Sequence, residues 1–179
     1  MRFAPENSVL LVIDVQGKLA RVMHDSEAVL HQIAALIKAA HLLKIPILAT
    51  EQVPDKIGET VSEIKQVLAT QIIKKRSFSC CAAGDFAGKL SALKRKQIVI
   101  CGIETHVCVY QTVCDLREEQ YHVQVVADAV SSRTLANKEM ALERIRGTGA
   151  TLTSAEMIVC EWIKGADHPQ FKEIMSLIK

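Results

Sequence analysis

Three side chains that together could perform acyl-transfer chemistry stand at separate points of the chain. Asp14 and Lys75 each follow a strand-like apolar run, and Cys108 lies near the start of a helical stretch behind another such run. The thiolate is the reactive form of cysteine, and a helix N-terminus or a nearby cation favours it. The residue types therefore predict a Cys108 thiolate as nucleophile, Lys75 as its cation and Asp14 as a general base. The first-turn amides of the helix could hold an oxyanion.

Each of the three residues also has a structural interpretation. An aspartate after a strand often caps a turn or helix, a lysine is usually a solvated charge, and a cysteine often packs as a small apolar side chain. Taken singly, Lys75 fits the structural interpretation better, and Asp14 and Cys108 fit either. The catalytic hypothesis depends on all three meeting at one edge of the fold.

Strand-like and helix-like segments alternate along the sequence, with a loop predicted over residues 51–59. Strands are predicted for residues 8–15, 45–50, 71–74, 97–102, 123–127 and 150–153, and helices for residues 26–44, 85–94, 107–119, 137–146, 155–164 and 169–179. This alternation predicts a single domain over residues 1–179, with a three-layer α/β/α Rossmann-like fold. Its sheet should be six-stranded and mainly parallel, with helices on both faces. Ligands of such sheets bind beyond the carboxyl ends of the strands, where the strand order reverses.

Composition argues against several classes of function. The 22 basic and 20 acidic residues leave a net charge of only +2, so we expect no nucleic-acid or membrane-surface partner. No apolar run approaches the roughly 20 residues of a membrane-spanning helix. The six cysteines include no CxxC pair, and the first residues, MRFAPENS, lack an apolar signal core. These features predict a cytoplasmic protein with free thiols.

Several motifs, in register over nearly the whole chain, resemble those of the isochorismatase-like hydrolases, and most closely those of the isochorismatase-domain-containing group. They are VLLVIDVQGKL (9–19), ATEQVPDKIGET (49–60), KKRSFS (74–79), VICGIETHVCV (99–109), VVADAVSSR (125–133) and ALERIRGTGATLTSAE (141–156). The resemblance implies an Asp-Lys-Cys catalytic triad at Asp14, Lys75 and Cys108. Lys75 is preferred to Lys74 because the family lysine precedes the aromatic of the Phe-Ser pair, here Phe78, by three positions.

The resemblance also implies a cis peptide bond between Ile103 and Glu104. Its implied purpose is to aim the backbone N–H groups of Glu104 and Cys108 at one oxyanion. The side chains predicted to line the substrate pocket are those of Gln16, Glu51, Gln52, Phe78 and Glu104.

Two departures from related groups narrow the predicted chemistry. Metal-dependent nicotinamidases of the superfamily carry histidine ligands after the second strand, whereas residues 50–58 read TEQVPDKIG, so we expect neither a metal nor another cofactor. Isochorismatases tend to lack the nucleophilic cysteine. The presence of Cys108 favours a hydrolase that acts on a small amide, carbamoyl or related carbonyl compound through a thioester.

Two other functions stay open at this point. The chain could be a catalytically idle binding protein of the same fold, or Cys108 could be a redox-reactive thiol. Short predicted loops leave little chain for a lid over the site. Because the family commonly assembles, and a neighbouring subunit could exclude water from the site, we also expect a homo-oligomer, at least a dimer.

Overall fold

A six-stranded sheet forms the centre of the computed structural model, which describes residues 1–178. The strands are β1 (Ser8–Ile13), β2 (Ile47–Gln52), β3 (Ile72–Lys75), β4 (Gln97–Ile103), β5 (His122–Ser131) and β6 (Thr151–Thr153). They lie in the order β3-β2-β1-β4-β5-β6, and each neighbouring pair is parallel. The predicted three-layer α/β fold with a six-stranded sheet is confirmed.

Helices cover both faces of this sheet. They are α1 (Gly17–Arg21), α2 (Ser26–Leu42), α3 (Pro54–Ile57), α4 (Ser62–Leu68), α5 (Phe86–Ala92), α6 (Tyr110–Glu118), α7 (Leu135–Gly147), α8 (Ala155–Ile163) and α9 (Phe171–Leu177). A 3₁₀ turn (Pro5–Asn7) precedes β1, and a π-helical turn (Thr105–Val109) precedes α6. Among residues 1–178, no helix is both long and apolar enough to cross a membrane.

The predicted loop over residues 51–59 is wrong in part. Strand β2 continues through Gln52, and a single helical turn, α3, begins at Pro54. Proline suits the first helical position because its fixed φ is helical and its missing N–H has no partner to lose there. At the other end of the chain, the predicted C-terminal helix is observed as α9, and its predicted last residue, Lys179, lies outside the described residues.

Strand β1 is buried on both faces, as its continuous apolar run predicts. Leu10 and Val12 belong to the core cluster that includes residues of α2, α8 and α9, whereas Val9, Leu11 and Ile13 belong to the cluster that includes residues of α5, α6 and α7. None of these five side chains is more than 2% exposed. Full burial of such a side chain contributes about 1.5–3 kcal/mol, so β1 anchors both layers.

The strand order reverses beside β1. From β1 the chain crosses to β2 and β3 on one side, and then returns to β4 on the other side. The connections that leave the carboxyl ends of β1 and β4 therefore diverge and open a crevice between them. Asp14 follows β1 directly and Glu104 follows β4 directly, so the topology brings both to this crevice.

Close packing between β4 and β1 leads to a stability prediction at Gly102. This residue has φ +118°, and a Cβ atom there would lie 2.1 Å from the carbonyl oxygen of Ile13. We expect Gly102→Ala to lower the free energy of unfolding by about 3 kcal/mol or more, because backbone strain and overpacking add. Urea denaturation measures the change.

Gly88 provides the matched control for this substitution. It is an exposed residue of α5, and no atom lies within 4 Å of the position that its Cβ would occupy. Gly88→Ala should leave stability unchanged or raise it by about 0.5–1 kcal/mol, since alanine favours a helix over glycine. Equal effects of the two substitutions would contradict the packing argument.

Candidate active site

Strand alternation directs Lys75 into the protein. Side chains two apart on a strand share a face, and Ile73 lies in the core cluster on that face. Lys75 is accordingly 3% exposed at the end of β3, while Lys74 is exposed to solvent. Gln52 is the register partner of Lys75 on β2. The predicted lysine therefore points towards the crevice, and its neighbour in the sequence does not.

The Lys75 ammonium group is buried among oxygen atoms. Its Nζ lies 2.6 Å from Asp14 Oδ2 and donates to Gln52 Oε1 at 2.7 Å. It also donates to the backbone carbonyls of Phe78 (3.0 Å) and Ser77 (3.1 Å). The ion-pair side chains are 0% exposed for Lys75 and 4% for Asp14. A buried charge needs such a complete set of partners, because desolvation would otherwise destabilise the fold.

Asp14 is held in an orientation that leaves one oxygen able to accept a proton. Its backbone is left-handed, with φ +49°, a conformation that aspartate tolerates better than most residues. Thr50 Oγ1 donates to Asp14 Oδ1 at 2.7 Å. Oδ2 contacts Lys75 as an ion pair, but within residues 1–178 it accepts no hydrogen bond of good geometry.

Cys108 lies beside this ion pair, in the π-helical turn that links β4 to α6. Its Sγ is 3.6 Å from Lys75 Nζ, and the residue is 7% exposed. The three side chains predicted as a catalytic set are thus brought together at the carboxyl ends of β1, β3 and β4.

The surroundings of Cys108 favour its thiol form, although a cation and a helix N-terminus favour the thiolate. Burial, followed by the Asp14 carboxylate, raises the pKa of its thiol, Lys75 only partly offsets these two effects, and the pKa that results is about 12. Desolvation of the thiol and the adjacent carboxylate act against the cation and the helix N-terminus, and both arise only in the folded site. At neutral pH the site therefore holds a neutral thiol next to a carboxylate that can accept its proton.

Glu104 occupies the turn between β4 and Cys108. The Ile103–Glu104 peptide bond is cis. Glu104 Oε1 accepts hydrogen bonds from Arg133 Nε (3.0 Å) and from the Arg133 backbone N–H (3.4 Å). The Glu104 side chain is 11% exposed, and that of Arg133 is 58% exposed. His106, nearby in the same turn, pairs its Nδ1 with Ser132 Oγ at 2.9 Å.

A cavity of about 100 Å³ lies over the thiol. The residues that line it are Asp14, Gln16, Leu19, Gln52, Ile57, Phe78, Ile103, Glu104, Val107 and Cys108. A larger groove of about 510 Å³ lies between N-terminal residues 2–4 and α8, near the amino ends of the strands. That groove is remote from the three predicted catalytic side chains, so the smaller cavity is the candidate substrate site.

The two predicted pocket glutamines line the cavity but use their polar atoms elsewhere. Gln16 Nε2 donates to the carbonyls of Gln52 (3.1 Å) and Gly58 (2.5 Å), and its Oε1 accepts the Gln52 N–H at 2.7 Å. Gln52 Oε1 accepts from Lys75, and its Nε2 donates to the Arg76 carbonyl at 2.7 Å. Both side chains therefore build the wall of the pocket, and Gln52 also positions Lys75.

The placement of Glu51 in the pocket is wrong. Its Oε1 accepts both the backbone N–H and the hydroxyl of Thr60, each at 2.7 Å, and it is not among the cavity-lining residues. Alternation along β2 explains this, because Thr50 and Gln52 share the active-site face and Glu51 must point to the other face. Phe78, by contrast, does line the cavity and is 52% exposed at its mouth.

Several residues of the site were not predicted individually. Thr50, which orients Asp14, could have been identified from the period of two in β2. Leu19 and Ile57 form part of the apolar wall, and they belong to the short helices α1 and α3, which carry too few residues for a periodic signal. Among residues 1–178 there is no cluster of three or more metal-ligating side chains, and none of the six cysteines forms a disulfide.

The position of Asp14 predicts how Cys108 responds to pH. With a thiol pKa of about 12, alkylation of Cys108 by iodoacetamide should rise about tenfold per pH unit from pH 7 to 10, following the thiolate fraction. Asp14→Asn removes the charge that raises this pKa and leaves Lys75 three neutral acceptors. We therefore expect it to speed alkylation at pH 8 by about tenfold or more. Mass spectrometry of the Cys108 peptide measures the rate.

Asp85→Asn is the matched control for this experiment. Asp85 also pairs with a lysine, Lys89 at 2.7 Å, but the pair is exposed on the surface. Asp85→Asn should leave the alkylation rate of Cys108 unchanged. A wild-type rate that levels off below pH 9 would mean that Cys108 is an acidic thiol after all.

Comparison with known proteins gives the same family as the motifs. The isochorismatase domain model matches residues 8–157. The secreted isochorismatase effector Isc1 of Phytophthora sojae is 40% identical, over 99% of this chain and 87% of that protein. Isochorismatase domain-containing protein 2A of Mus musculus is 37% identical, over 99% and 85%. A solved structure described as MAR1 ribonuclease from Caenorhabditis elegans is 38% identical with a TM-score of 0.93, over 99% and 92%. The chain belongs to the isochorismatase family and has its hydrolase fold.

Proposed function

We propose that this protein is a cysteine-dependent hydrolase that cleaves a small amide, carbamoyl or related carbonyl compound through a thioester on Cys108. The observation that carries the proposal is the contact of one buried cation with both other members of the set. Lys75 Nζ lies 2.6 Å from Asp14 Oδ2 and 3.6 Å from Cys108 Sγ, beside a cavity that admits a small carbonyl group.

In the first half of the reaction, Asp14 Oδ2 takes the proton of the Cys108 thiol while the sulfur attacks the substrate carbonyl carbon. Because the resting thiol is neutral, proton transfer and attack are coupled, and the thiolate forms only when it is used. The carbonyl oxygen becomes an oxyanion, which the backbone N–H groups of Glu104 and Cys108 stabilise. The carbon–nitrogen bond then breaks, the amine leaves with the proton held by Asp14, and a thioester remains.

In the second half, water replaces the amine in the cavity. Asp14 removes a proton from this water, the resulting hydroxide attacks the thioester carbonyl, and the sulfur leaves with the proton. Lys75 stays protonated throughout and limits the build-up of negative charge on Asp14 and Cys108. In a site from which bulk water is largely excluded, that compensation is much stronger than it would be in solvent.

The relative described as a ribonuclease suggests a second candidate function, cleavage of RNA. The cavity gives it less support. Among residues 1–178, the lining includes two carboxylates and no lysine or arginine, and its volume of about 100 Å³ is too small for a nucleotide. A phosphodiester would bring negative charge next to Asp14 and Glu104. An RNA oligonucleotide is therefore included in the test below as the competing substrate.

We further propose that the protein acts in the cytoplasm, a compartment supported by its six unpaired cysteines. The name of the secreted Phytophthora relative points to a different compartment for that protein. The proposed hydrolysis needs nothing that is specific to one compartment. The location of the protein and the reaction are therefore separate proposals.

We also propose that a second copy of the chain covers the mouth of the cavity. Phe78 is 52% exposed at the mouth, and Val22 (57%) and Leu135 (45%) are exposed on segments that follow α1 and β5. These two segments meet, because the His24 N–H donates to the Ser132 carbonyl at 2.9 Å. Large exposed apolar side chains on neighbouring segments favour a protein–protein contact.

The hydrolase proposal predicts the loss of turnover when the nucleophile is removed. Cys108→Ala should abolish ammonia release from a panel of small amides, by at least about 10³-fold, because the thioester cannot form. Cys160→Ala, which removes an exposed cysteine on α8, should retain full activity. In rapidly quenched wild-type enzyme, intact-mass spectrometry should detect the acyl group on Cys108.

Three results would contradict this function. Amide turnover that survives Cys108→Ala would exclude the thioester mechanism. Cleavage of the RNA oligonucleotide that is lost in Cys108→Ala, with no amide turnover by the wild type, would favour the second candidate instead. If Cys108 takes no acyl group and neither substrate is cleaved, a non-catalytic binding role becomes the better explanation.

The assembly proposal predicts a homo-oligomer in solution. Light scattering over a micromolar concentration series should give at least twice the chain mass of 19.7 kDa. Leu135→Lys should shift the equilibrium towards monomer, because it buries a charge in the contact. Met157→Lys, at another exposed apolar position (57%), should not. A wild-type mass near that of one chain would refute the assembly.

A further inference from the structure

The Glu104 carboxylate has no part in the proposed mechanism, which uses only the backbone N–H of this residue. It nevertheless lines the cavity and is only 11% exposed. A carboxylate is costly to desolvate, so its presence in the wall of a small pocket needs an explanation. The other lining residues determine which polar contacts the cavity can offer to a substrate.

Most of the lining offers no polar contact. Half of it is apolar, from Leu19, Ile57, Phe78, Ile103 and Val107. The amides of Gln16 and Gln52 are engaged by the protein itself, as described above. The remaining side chains are the two acids and the nucleophile. The electrostatic character of the cavity is therefore set by Asp14 and Glu104 and by the cations that accompany them.

These two acids are neutralised to different degrees. Asp14 is paired with Lys75, whose side chain is 0% exposed, so the two charges compensate each other at short range with no water between them. Glu104 is paired with Arg133, whose side chain is 58% exposed, so water and ions screen the positive charge. Glu104, one of the cavity-lining residues, thus carries a negative charge whose compensating cation lies on the solvent side.

Resting on the proposed function, we infer that Glu104 is a specificity-determining residue that excludes carboxylates from the cavity, so that the acyl group enclosed there is uncharged or cationic. Size acts in the same direction. A cavity of 150 Å³ is known to hold benzene, so one of about 100 Å³ encloses only a few heavy atoms. The enclosed group is then a short aliphatic or amino-substituted acyl group, and a compound with several carboxylates does not fit.

Two alkylating reagents of nearly equal size test this inference without any need for turnover. Iodoacetamide is neutral and iodoacetate is an anion, and both form a carbon–sulfur bond to the thiolate as iodide leaves. The ratio of their rates at one thiol does not depend on how much thiolate that thiol holds. In wild-type protein at pH 8, the ratio of the iodoacetamide rate to the iodoacetate rate at Cys108 should exceed that at exposed Cys160 by about tenfold or more.

Two variants separate the charge of Glu104 from any structural role. Glu104→Gln keeps the backbone and the shape of the side chain but removes the charge, so the ratio at Cys108 should fall towards that at Cys160. Arg133→Ala removes the compensating cation, so the ratio should rise. A disturbed turn would not move the ratio in opposite directions in the two variants.

Several outcomes would overturn the inference. They are equal ratios at Cys108 and Cys160 in the wild type, a ratio unchanged by Glu104→Gln, and shifts in the same direction in both variants. The wild-type comparison needs no variant to fold. If the ratios behave as expected but no small amide is turned over, the proposed function fails and the charge selection stands. If small amides are turned over but the ratios at Cys108 and Cys160 are equal, the proposed function stands and the inference about charge selection fails.

Discussion

The site depends on one buried ion pair. Asp14 and Lys75 come from the ends of β1 and β3, and β2 lies between those strands. Their side chains meet over the end of β2, where Gln52 accepts a hydrogen bond from Lys75 and Thr50 donates one to Asp14. Loss of one partner of such a pair typically destabilises a protein by about 3–5 kcal/mol, because a buried charge is left uncompensated. The three strands are thus held in register at the candidate active site.

The same pair influences the protonation of Cys108, the proposed nucleophile. Lys75 alone would favour a thiolate at Cys108, whereas Asp14 and burial favour the thiol, and the second influence prevails. A neutral resting thiol is less exposed to unwanted alkylation and oxidation, since both need the thiolate. This disfavours a redox-sensing role for Cys108 in the resting protein. It is compatible with hydrolysis because a base lies within reach of the thiol.

Most of the fold could be predicted from the sequence because its signals are local. The apolar run of β1 and the apolar stripe of α2 both indicate their elements directly, and the alternation of elements then leaves few topologies open. The predicted triad also carries a local signal. Strand periodicity alone would have shown that Lys75, and not Lys74, points into the protein. The same rule applied to β2 would have removed Glu51 from the pocket, so that error was avoidable.

Other features could not be predicted because they arise only from the assembled site. The pKa of Cys108 depends on burial and on a carboxylate 94 positions away in the chain. The hydrogen bonds from the Gln16 amide to Gln52 and Gly58 likewise join distant segments, as does the ion pair between Glu104 and Arg133. No periodic pattern contains such information, because it is set by which loops meet at the edge of the sheet.

The apolar wall of the cavity has a consequence for how this architecture can diversify. Leu19 and Ile57 come from α1 and α3, two helices of only five and four residues that lie outside the central strands. Leu19 also packs against the core cluster that contains Leu10 and Val12, whereas Ile57 belongs to neither core cluster. Substitutions at Ile57 can therefore change the shape of the pocket without disturbing the ion pair or the β1 core. Evolution can therefore change which substrates the cavity admits while Asp14, Lys75 and Cys108, the proposed catalytic residues, stay in place. The evolutionary cost of acquiring a new substrate should accordingly be low for this fold.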